Sequence, residues 1–193
     1  MASCPTPATL PSSRRRCWRA APSLVAFKDG RGDVRLFQRL REHVTARLGT
    51  ERLVWLAGVG DDLVAPYFAA GATGFTSSLA CFWPEVSVEL YRLASDGDFA
   101  GLRRLHERAV RPFYDLRQRR PGFEVAVMKA AMDLLGHPAG PPRPPLGRLS
   151  PDDLADLRAI IERLQIPTRA ERTGTPDASR DAPRSPQTAV QQS

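Results

Sequence analysis

The chain has 193 residues, enough for one domain with a sizeable hydrophobic core, and its net charge is +7 at pH 7. Most of this charge lies at the two ends: residues 1–23 carry +4 and residues 167–193 carry +1, which leaves +2 for the body. Because the arginines of the body are mixed with acidic residues along helices and are not gathered into a basic stripe, the pattern argues against a nucleic-acid partner.

Composition disfavours four further classes of protein. The cysteines Cys4, Cys17 and Cys81 form no Cys-x-x-Cys pair, and the histidines have no carboxylate at ligand spacing, so neither a disulfide framework nor a metal site is predicted. Residues 63–84 carry no charge, but glycine, proline and hydroxyl residues make them too polar for a membrane span. The N-terminus lacks the apolar core of a secretory signal. We therefore expect a cytoplasmic protein with no membrane partner.

Short apolar runs alternate with amphipathic helices along the chain. Strands are predicted at 24–28, 53–57 and 74–77. Helices are predicted at 34–48, 63–70, 84–95, 98–119, 122–136 and 151–164. Asp33 and Ser150 are candidate N-caps, Gly49 ends the first helix, and the proline-rich segment 138–145 is an extended connector.

This order of elements divides the chain into four parts. Residues 1–22 are predicted to be irregular, because four prolines interrupt them. Residues 23–96 alternate strands with helices, which indicates an α/β fold with a parallel sheet, and residues 97–166 form a helical extension. Residues 167–193 are polar and are predicted to be a disordered tail.

Lys28 is the first candidate for a chemical role. It is one of only two lysines beside twenty-six arginines, and it closes the apolar run 24–27. Arginine stays protonated, whereas a partly desolvated lysine can lose its proton and act as a nucleophilic amine that condenses with a ketone. The alternative is an ordinary strand-end lysine that faces solvent.

Three more residues occupy the carboxyl ends of the other strands. Gly58 follows the second strand, and Thr76 and Ser77 lie at the end of the third. Active sites of (β/α)8 barrels lie at this edge, where a glycine lets the substrate approach the backbone and hydroxyls can donate hydrogen bonds to a carboxylate. The alternatives are a simple turn glycine at position 58 and a helix-capping role for Ser77.

Several segments together resemble one family of enzymes. They are Leu24-Val-Ala-Phe-Lys-Asp-Gly30, Leu56-Ala-Gly58, Ala69-Ala-Gly-Ala-Thr-Gly-Phe-Thr-Ser-Ser78, Phe82-Trp-Pro-Glu85, Arg117-Gln-Arg-Arg-Pro-Gly122, Val127-Met-Lys-Ala-Ala131 and Gly140-Pro-Pro-Arg-Pro-Pro-Leu146. Over residues 23–164 the chain resembles the dihydrodipicolinate synthase/N-acetylneuraminate lyase superfamily, and within it the branch of the 5-dehydro-4-deoxyglucarate dehydratases. The resemblance implies a partial (β/α)8 TIM barrel, strands six to eight, followed by a C-terminal helical extension.

The resemblance also implies a reaction. Lys28 would form a Schiff base with a small keto sugar acid, 5-dehydro-4-deoxy-D-glucarate, and loss of water and carbon dioxide would yield 2,5-dioxopentanoate. Gly58, Thr76 and Ser77 would bind the substrate, and neither a metal nor another cofactor is needed. Lys129, the other lysine, falls in a helix away from the chemistry and is expected to be structural.

The family's proton-relaying tyrosine belongs to a fifth strand, and the resemblance begins only at the sixth. Tyr67, Tyr91 and Tyr114 all fall in helical patterns, so none is expected to replace it. Residues 1–22 are accordingly read as a misassigned or frameshifted start. The alternatives to the dehydratase are another class I aldolase, a non-catalytic fragment and a basic binding protein. With sheet edges left open, homo-oligomerisation is also expected.

Overall fold

The computed structural model describes residues 23–49 and 53–173, within which three short parallel strands form one sheet. These are β1 (Ala26–Asp29), β2 (Val54–Ala57) and β3 (Gly74–Phe75), hydrogen-bonded in the order β1-β2-β3. Lys28 pairs with Leu56, and Leu56 pairs with Gly74. The carboxyl ends of the three strands therefore lie at one edge of the sheet.

Helix α1 (Val34–Leu48) has the predicted bounds and packs on this sheet. The side chain of Asp33 accepts a hydrogen bond from the backbone N–H of Leu36 at 2.9 Å, a cap that stabilises such a helix by about 1 kcal/mol. The ring of Phe37 lies 5.7 Å from that of Trp55 and 4.9 Å from that of Tyr67, measured between centroids. These aromatic contacts join α1, β2 and the next helix into one small core.

Most of the described chain outside the sheet is helical. The helices are α2 (Val64–Ala69), α3 (Pro84–Ser95), α4 (Phe99–Leu105), α5 (Arg111–Arg117), α6 (Phe123–Leu134), α7 (Pro151–Arg163) and α8 (Arg169–Thr173), with 3-10 turns at Asp61–Leu63 and Leu79–Cys81. Their apolar faces form a second, larger core that extends from Val64 to Ile166. The helical extension thus packs directly on the elements that follow β2.

A π-helical segment, His106–Val110, joins α4 to α5 where the sequence predicted one uninterrupted helix. The backbone N–H of Arg111 donates to the carbonyl of His106, five residues earlier. Pro112 comes next; it has no N–H, and in a regular α-helix its ring would clash with the carbonyl of Arg108. The wider π-helical turn relieves this clash, so we attribute the π-helical segment to Pro112.

The structure corrects the predicted strand ends. β1 runs from Ala26 to Asp29 and not from Leu24 to Lys28, because pairing begins where Ala26 meets the first residue of β2, Val54. Asp29, not Lys28, therefore closes the strand. β3 ends at Phe75, two residues early, although the N–H of Thr76 still donates to the carbonyl of Ala57 at 2.9 Å.

The predicted disorder from residue 167 onward is wrong for residues 169–173, which form α8. Thr168 and Glu171 make a capping box: the N–H of Thr168 donates to the Glu171 carboxylate at 2.6 Å, and the N–H of Glu171 donates to the Thr168 hydroxyl at 3.3 Å. Arg172 then donates to the carbonyl of Phe82 at 3.1 Å. The predictions for residues 1–22 and 174–193 lie outside the described chain.

The connector 138–145 contains neither helix nor strand, as predicted. Ser150 caps α7 by accepting a hydrogen bond from the N–H of Asp153 at 3.2 Å. Over residues 23–49 and 53–173, no helix is both long and apolar enough to cross a membrane.

Candidate active site at the carboxyl ends of the strands

Lys28 lies one residue before the end of β1, and its side chain is exposed. Successive strand residues face opposite sides of a sheet, so Lys28 lies on the side opposite its buried neighbour Asp29. A Schiff-base role predicts a partly desolvated amine, but the described residues leave the side chain of Lys28 open to solvent. Exposure alone also fits an ordinary strand-end lysine. The residues around Lys28 therefore provide the evidence for choosing between a nucleophilic amine and a surface lysine.

Gly58 is the closest such neighbour. A Cβ atom added at position 58 would lie 2.5 Å from Cε and 2.7 Å from Cγ of Lys28, and it would also contact the backbone oxygen of Asp29. Real Cβ atoms essentially never come this close to other atoms, and the Asp29 oxygen belongs to the backbone and cannot rotate away, so only glycine fits beside the lysine stem. Gly58 is thus more than a turn glycine, because it leaves room for the side chain of Lys28 along the rim of the sheet.

Thr76 and Ser77 both follow β3 at the same edge of the sheet, but their side chains have different surroundings. Thr76 is exposed. The hydroxyl of Ser77 donates to Oδ1 of Asp61, lies 2.6 Å from the hydroxyl of Ser87, and accepts a hydrogen bond from the N–H of Ala80 at 2.9 Å. The hydroxyl proton of Ser77 is thus directed at Asp61, while Thr76 has its side chain at the surface.

Behind the sheet, Asp29 accepts a hydrogen bond from the hydroxyl of Tyr67. Tyr67 is fully buried, and this burial, with the hydrogen bond to Asp29, raises the pKa of its phenol above the ordinary 10.0. Asp29 also accepts from the N–H of Arg31 at 3.2 Å. Asp29 and Tyr67 therefore stiffen the end of β1 from the face opposite Lys28.

Asp61 lies near the site and is not among the residues singled out from the sequence. It is 1% exposed and lies on the 3-10 turn that follows β2. Its carboxylate accepts from Ser77 and from the N–H groups of Ser78 at 2.9 Å and Leu79 at 3.2 Å. The only local signal was an aspartate after a Gly-x-Gly turn at a strand end, which does not reveal these partners.

Two of the three tyrosines are hydrogen-bonded to buried carboxylates. Tyr67 donates to Asp29 and Tyr114 to Asp61, the latter at 3.0 Å, while Tyr91 lies 48% exposed on α3. Burial and the charge of Asp61 raise the pKa of Tyr114. Both buried tyrosine hydroxyls therefore donate hydrogen bonds to aspartate carboxylates.

Lys129 has the structural role expected of it. Its Nζ donates to the carbonyl of Ala139 at 2.9 Å and to that of Pro141 at 3.2 Å, which fastens the proline-rich connector to α6. Within the described ranges, no group of three or more His, Cys, Asp and Glu side chains is arranged to hold a metal ion. A cavity of about 1050 Å³ between Trp83, Arg111 and α7 includes none of the four predicted site residues.

The chain is similar in sequence to several curated proteins. A protein of Leptothrix cholodnii named probable 5-dehydro-4-deoxyglucarate dehydratase is 35% identical over 161 residues, which cover 82% of this chain and 50% of that protein. A Pseudomonas putida protein named 5-dehydro-4-deoxyglucarate dehydratase is 35% identical over 145 residues, 74% of this chain and 46% of that one. The chain thus spans about half the length of the curated relatives it matches.

Solved structures agree with the α/β fold. The dihydrodipicolinate synthase of Bacillus clausii superimposes with a TM-score of 0.68 at 28% identity, over 78% of this chain and 51% of that one. The Dihydrodipicolinate synthetase family matches residues 11–164, so the similarity begins within the segment predicted to be irregular. This chain therefore belongs to the dihydrodipicolinate synthetase family.

Proposed function

We propose that this chain provides the Schiff-base lysine of a decarboxylating dehydratase that converts 5-dehydro-4-deoxy-D-glucarate to 2,5-dioxopentanoate, water and carbon dioxide. The observation that carries the proposal is the fit between Lys28 and Gly58 at the carboxyl edge of the sheet. The names of the relatives from Leptothrix cholodnii and Pseudomonas putida support the choice of substrate.

In this reaction the amine of Lys28 attacks the ketone carbon, and the carbonyl oxygen leaves as water to give an iminium ion. The iminium draws electrons from the neighbouring carbon, which loses a proton, and the hydroxyl one carbon further leaves as water. Loss of the distal carboxylate as carbon dioxide sends an electron pair into the conjugated iminium, and the resulting enol takes up a proton on carbon and tautomerises to the aldehyde. Hydrolysis of the imine then releases 2,5-dioxopentanoate and frees the amine. The Lys28 iminium thus accepts the electron pairs that proton loss and decarboxylation release.

The neutral amine that this attack needs is favoured by removal of water from around Lys28. Because the described residues leave Lys28 exposed, we propose that the bound keto acid itself covers the amine. The Thr76 hydroxyl, at the same edge of the sheet, donates to a substrate carboxylate, and Gly58 keeps the path along the rim open. For Ser77 we propose a supporting part, since its hydroxyl donates to Asp61.

A second candidate is imine formation without turnover. It is favoured by one observation: the hydroxyls of Tyr67 and Tyr114 both donate to buried aspartates. General acid–base help is commonly worth 10²–10⁴-fold, so a lysine without it would bind keto acids but would dehydrate them slowly.

Borohydride reduction in the presence of pyruvate tests both candidates. We expect a covalent adduct on Lys28 by peptide mass spectrometry, and its loss in Lys28→Arg, which keeps the charge but removes the nucleophile. Lys129→Arg is the matched control and should keep the Lys28 adduct. An adduct only on Lys129 or on the N-terminal amine would refute the proposal, and an assay for 2,5-dioxopentanoate separates turnover from imine formation alone.

A further inference from the structure

Asp61 brings together parts of the chain that are far apart in sequence. Its Oδ1 accepts from Ser77, and its Oδ2 accepts from the N–H groups of Ser78 and Leu79 and from the Tyr114 hydroxyl. A buried carboxylate that satisfies four donors costs a great deal to disturb, because removal of the acceptor would leave those donors without a partner. One side chain therefore binds three consecutive residues of the loop after β3.

Tyr114 holds Asp61 from the helical extension. The phenol oxygen accepts from the backbone N–H of Asp61 at 2.6 Å and donates to its Oδ2 at 3.0 Å, so backbone and side chain are fixed together. Gly60 makes this approach possible: with φ of 135°, it leaves the space that Tyr114 occupies, and a Cβ there would lie 3.1 Å from Tyr114 Cε1. The guanidinium carbon of Arg117 lies over the Tyr114 ring, 4.2 Å from its centroid.

From these contacts we infer that Asp61 is a positioning residue, which transmits the placement of α5 to the substrate-binding loop at Thr76 and Ser77. The inference rests on the proposed function, in which that loop receives a carboxylate of the keto acid. Thr76 precedes two of the groups that Asp61 holds, Ser77 and Ser78, so a change at Asp61 moves the loop without touching Lys28. Asp61 should then govern keto-acid affinity, not the reactivity of the amine.

The test compares Asp61→Asn and Tyr114→Phe with Ser150→Ala in the full chain. Asn at 61 keeps the shape but gives up one acceptor oxygen, and Phe at 114 removes only the hydroxyl. Ser150→Ala removes the N-cap of α7, so it destabilises the chain without touching the loop. Each variant is titrated with pyruvate, and borohydride-trapped Lys28 is quantified to give a half-saturating concentration and a saturated adduct rate.

We expect Asp61→Asn to raise the half-saturating pyruvate concentration about tenfold, the loss expected when one hydrogen bond to a charged group is misplaced. Its saturated adduct rate should stay within about twofold of the parent, a change worth less than RT in barrier height. Tyr114→Phe should shift the concentration in the same direction by less, and Ser150→Ala should not shift it. Equal shifts in Asp61→Asn and Ser150→Ala, or a fall confined to the saturated rate, would overturn the inference.

Hydrogen exchange keeps the inference independent of trapping. The amides of Ser78 and Leu79 donate to Asp61, and that of Ala80 donates to Ser77. If the parent chain yields no Lys28 adduct, the proposed function fails, and the exchange of these three amides decides the role of Asp61. Faster exchange in both Asp61→Asn and Tyr114→Phe but not in Ser150→Ala supports it, and unchanged exchange refutes it.

Discussion

The stem of Lys28 occupies the space that any side chain at position 58 would fill. Cε and Cγ of the lysine lie 2.5 and 2.7 Å from where a Cβ would stand. The lysine could move aside in principle, but the carbonyl oxygen of Asp29 also contacts this position and belongs to a paired strand. The two residues therefore depend on each other, and one of them can be altered to test the other.

Gly58→Ala should displace Lys28 and strain the β1–β2 pairing. We expect a loss of about 1–3 kcal/mol in the free energy of unfolding, as for other overpacked sites, and a several-fold fall in pyruvate-dependent adduct on Lys28. Gly30→Ala is the matched control, since a Cβ at that position meets nothing within 4 Å. Denaturant unfolding and trapping are measured on both variants, and equal trapping in the two would contradict the proposed fit.

Alkaline pH should destabilise the chain through its two buried tyrosines. The pKa values of Tyr67 and Tyr114 are both raised above 10.0, chiefly by burial. Each neutral phenol therefore stabilises the fold fully below pH 10, and that contribution is lost as the pH rises toward the folded-state values. We expect tyrosinate absorbance from these two residues to appear only together with the loss of helical circular dichroism.

Tyr67→Phe and Tyr114→Phe check this assignment. In each variant, the rise in tyrosinate absorbance that coincides with unfolding should be smaller by the contribution of one tyrosine. If either phenol ionised before the helical signal fell, its burial in solution would be less complete than in the structure.

Acid should release α8 from the turn before α3. Arg172 donates to Glu85 and to the carbonyl of Phe82. Burial tends to raise the pKa of Glu85, but the hydrogen bond and the charge of Arg172 outweigh it and hold the pKa below the ordinary 4.5. A carboxyl with a lowered pKa stabilises the fold above that value and loses the contribution as the pH falls below it.

Arg172→Gln should remove this acid dependence and make the chain about 0.5–1 kcal/mol less stable at neutral pH, which is modest because Glu85 is largely exposed. Arg158→Gln, on the exposed side of α7, is a comparison that changes the same charge. Thermal unfolding followed between pH 3 and pH 7 measures both. A shared pH profile in the two variants would show that the Arg172 contact contributes nothing specific.

Local patterns predicted some elements well and others poorly. Helix α1 has the predicted bounds because apolar periodicity, the Asp33 cap and Gly49 all agree. The role of Asp61 could not be predicted, because its partner Tyr114 lies 53 residues away and pairs with it only through the fold. The helix from Arg169 carried a local signal, the capping box of Thr168 and Glu171, which the polar composition of the tail obscured.

The π-helical segment His106–Val110 determines the direction in which the side chains of α5 face relative to those of α4. A regular α-helix advances about 100° per residue, so one extra residue in a turn rotates α5 by that amount relative to α4. Deletion of one residue between 106 and 110 would turn Tyr114 away from Asp61. Among related sequences, those with one residue fewer in this turn should therefore also differ at the position of Asp61 or of Tyr114. This coupling would join two parts of the chain that are far apart in sequence.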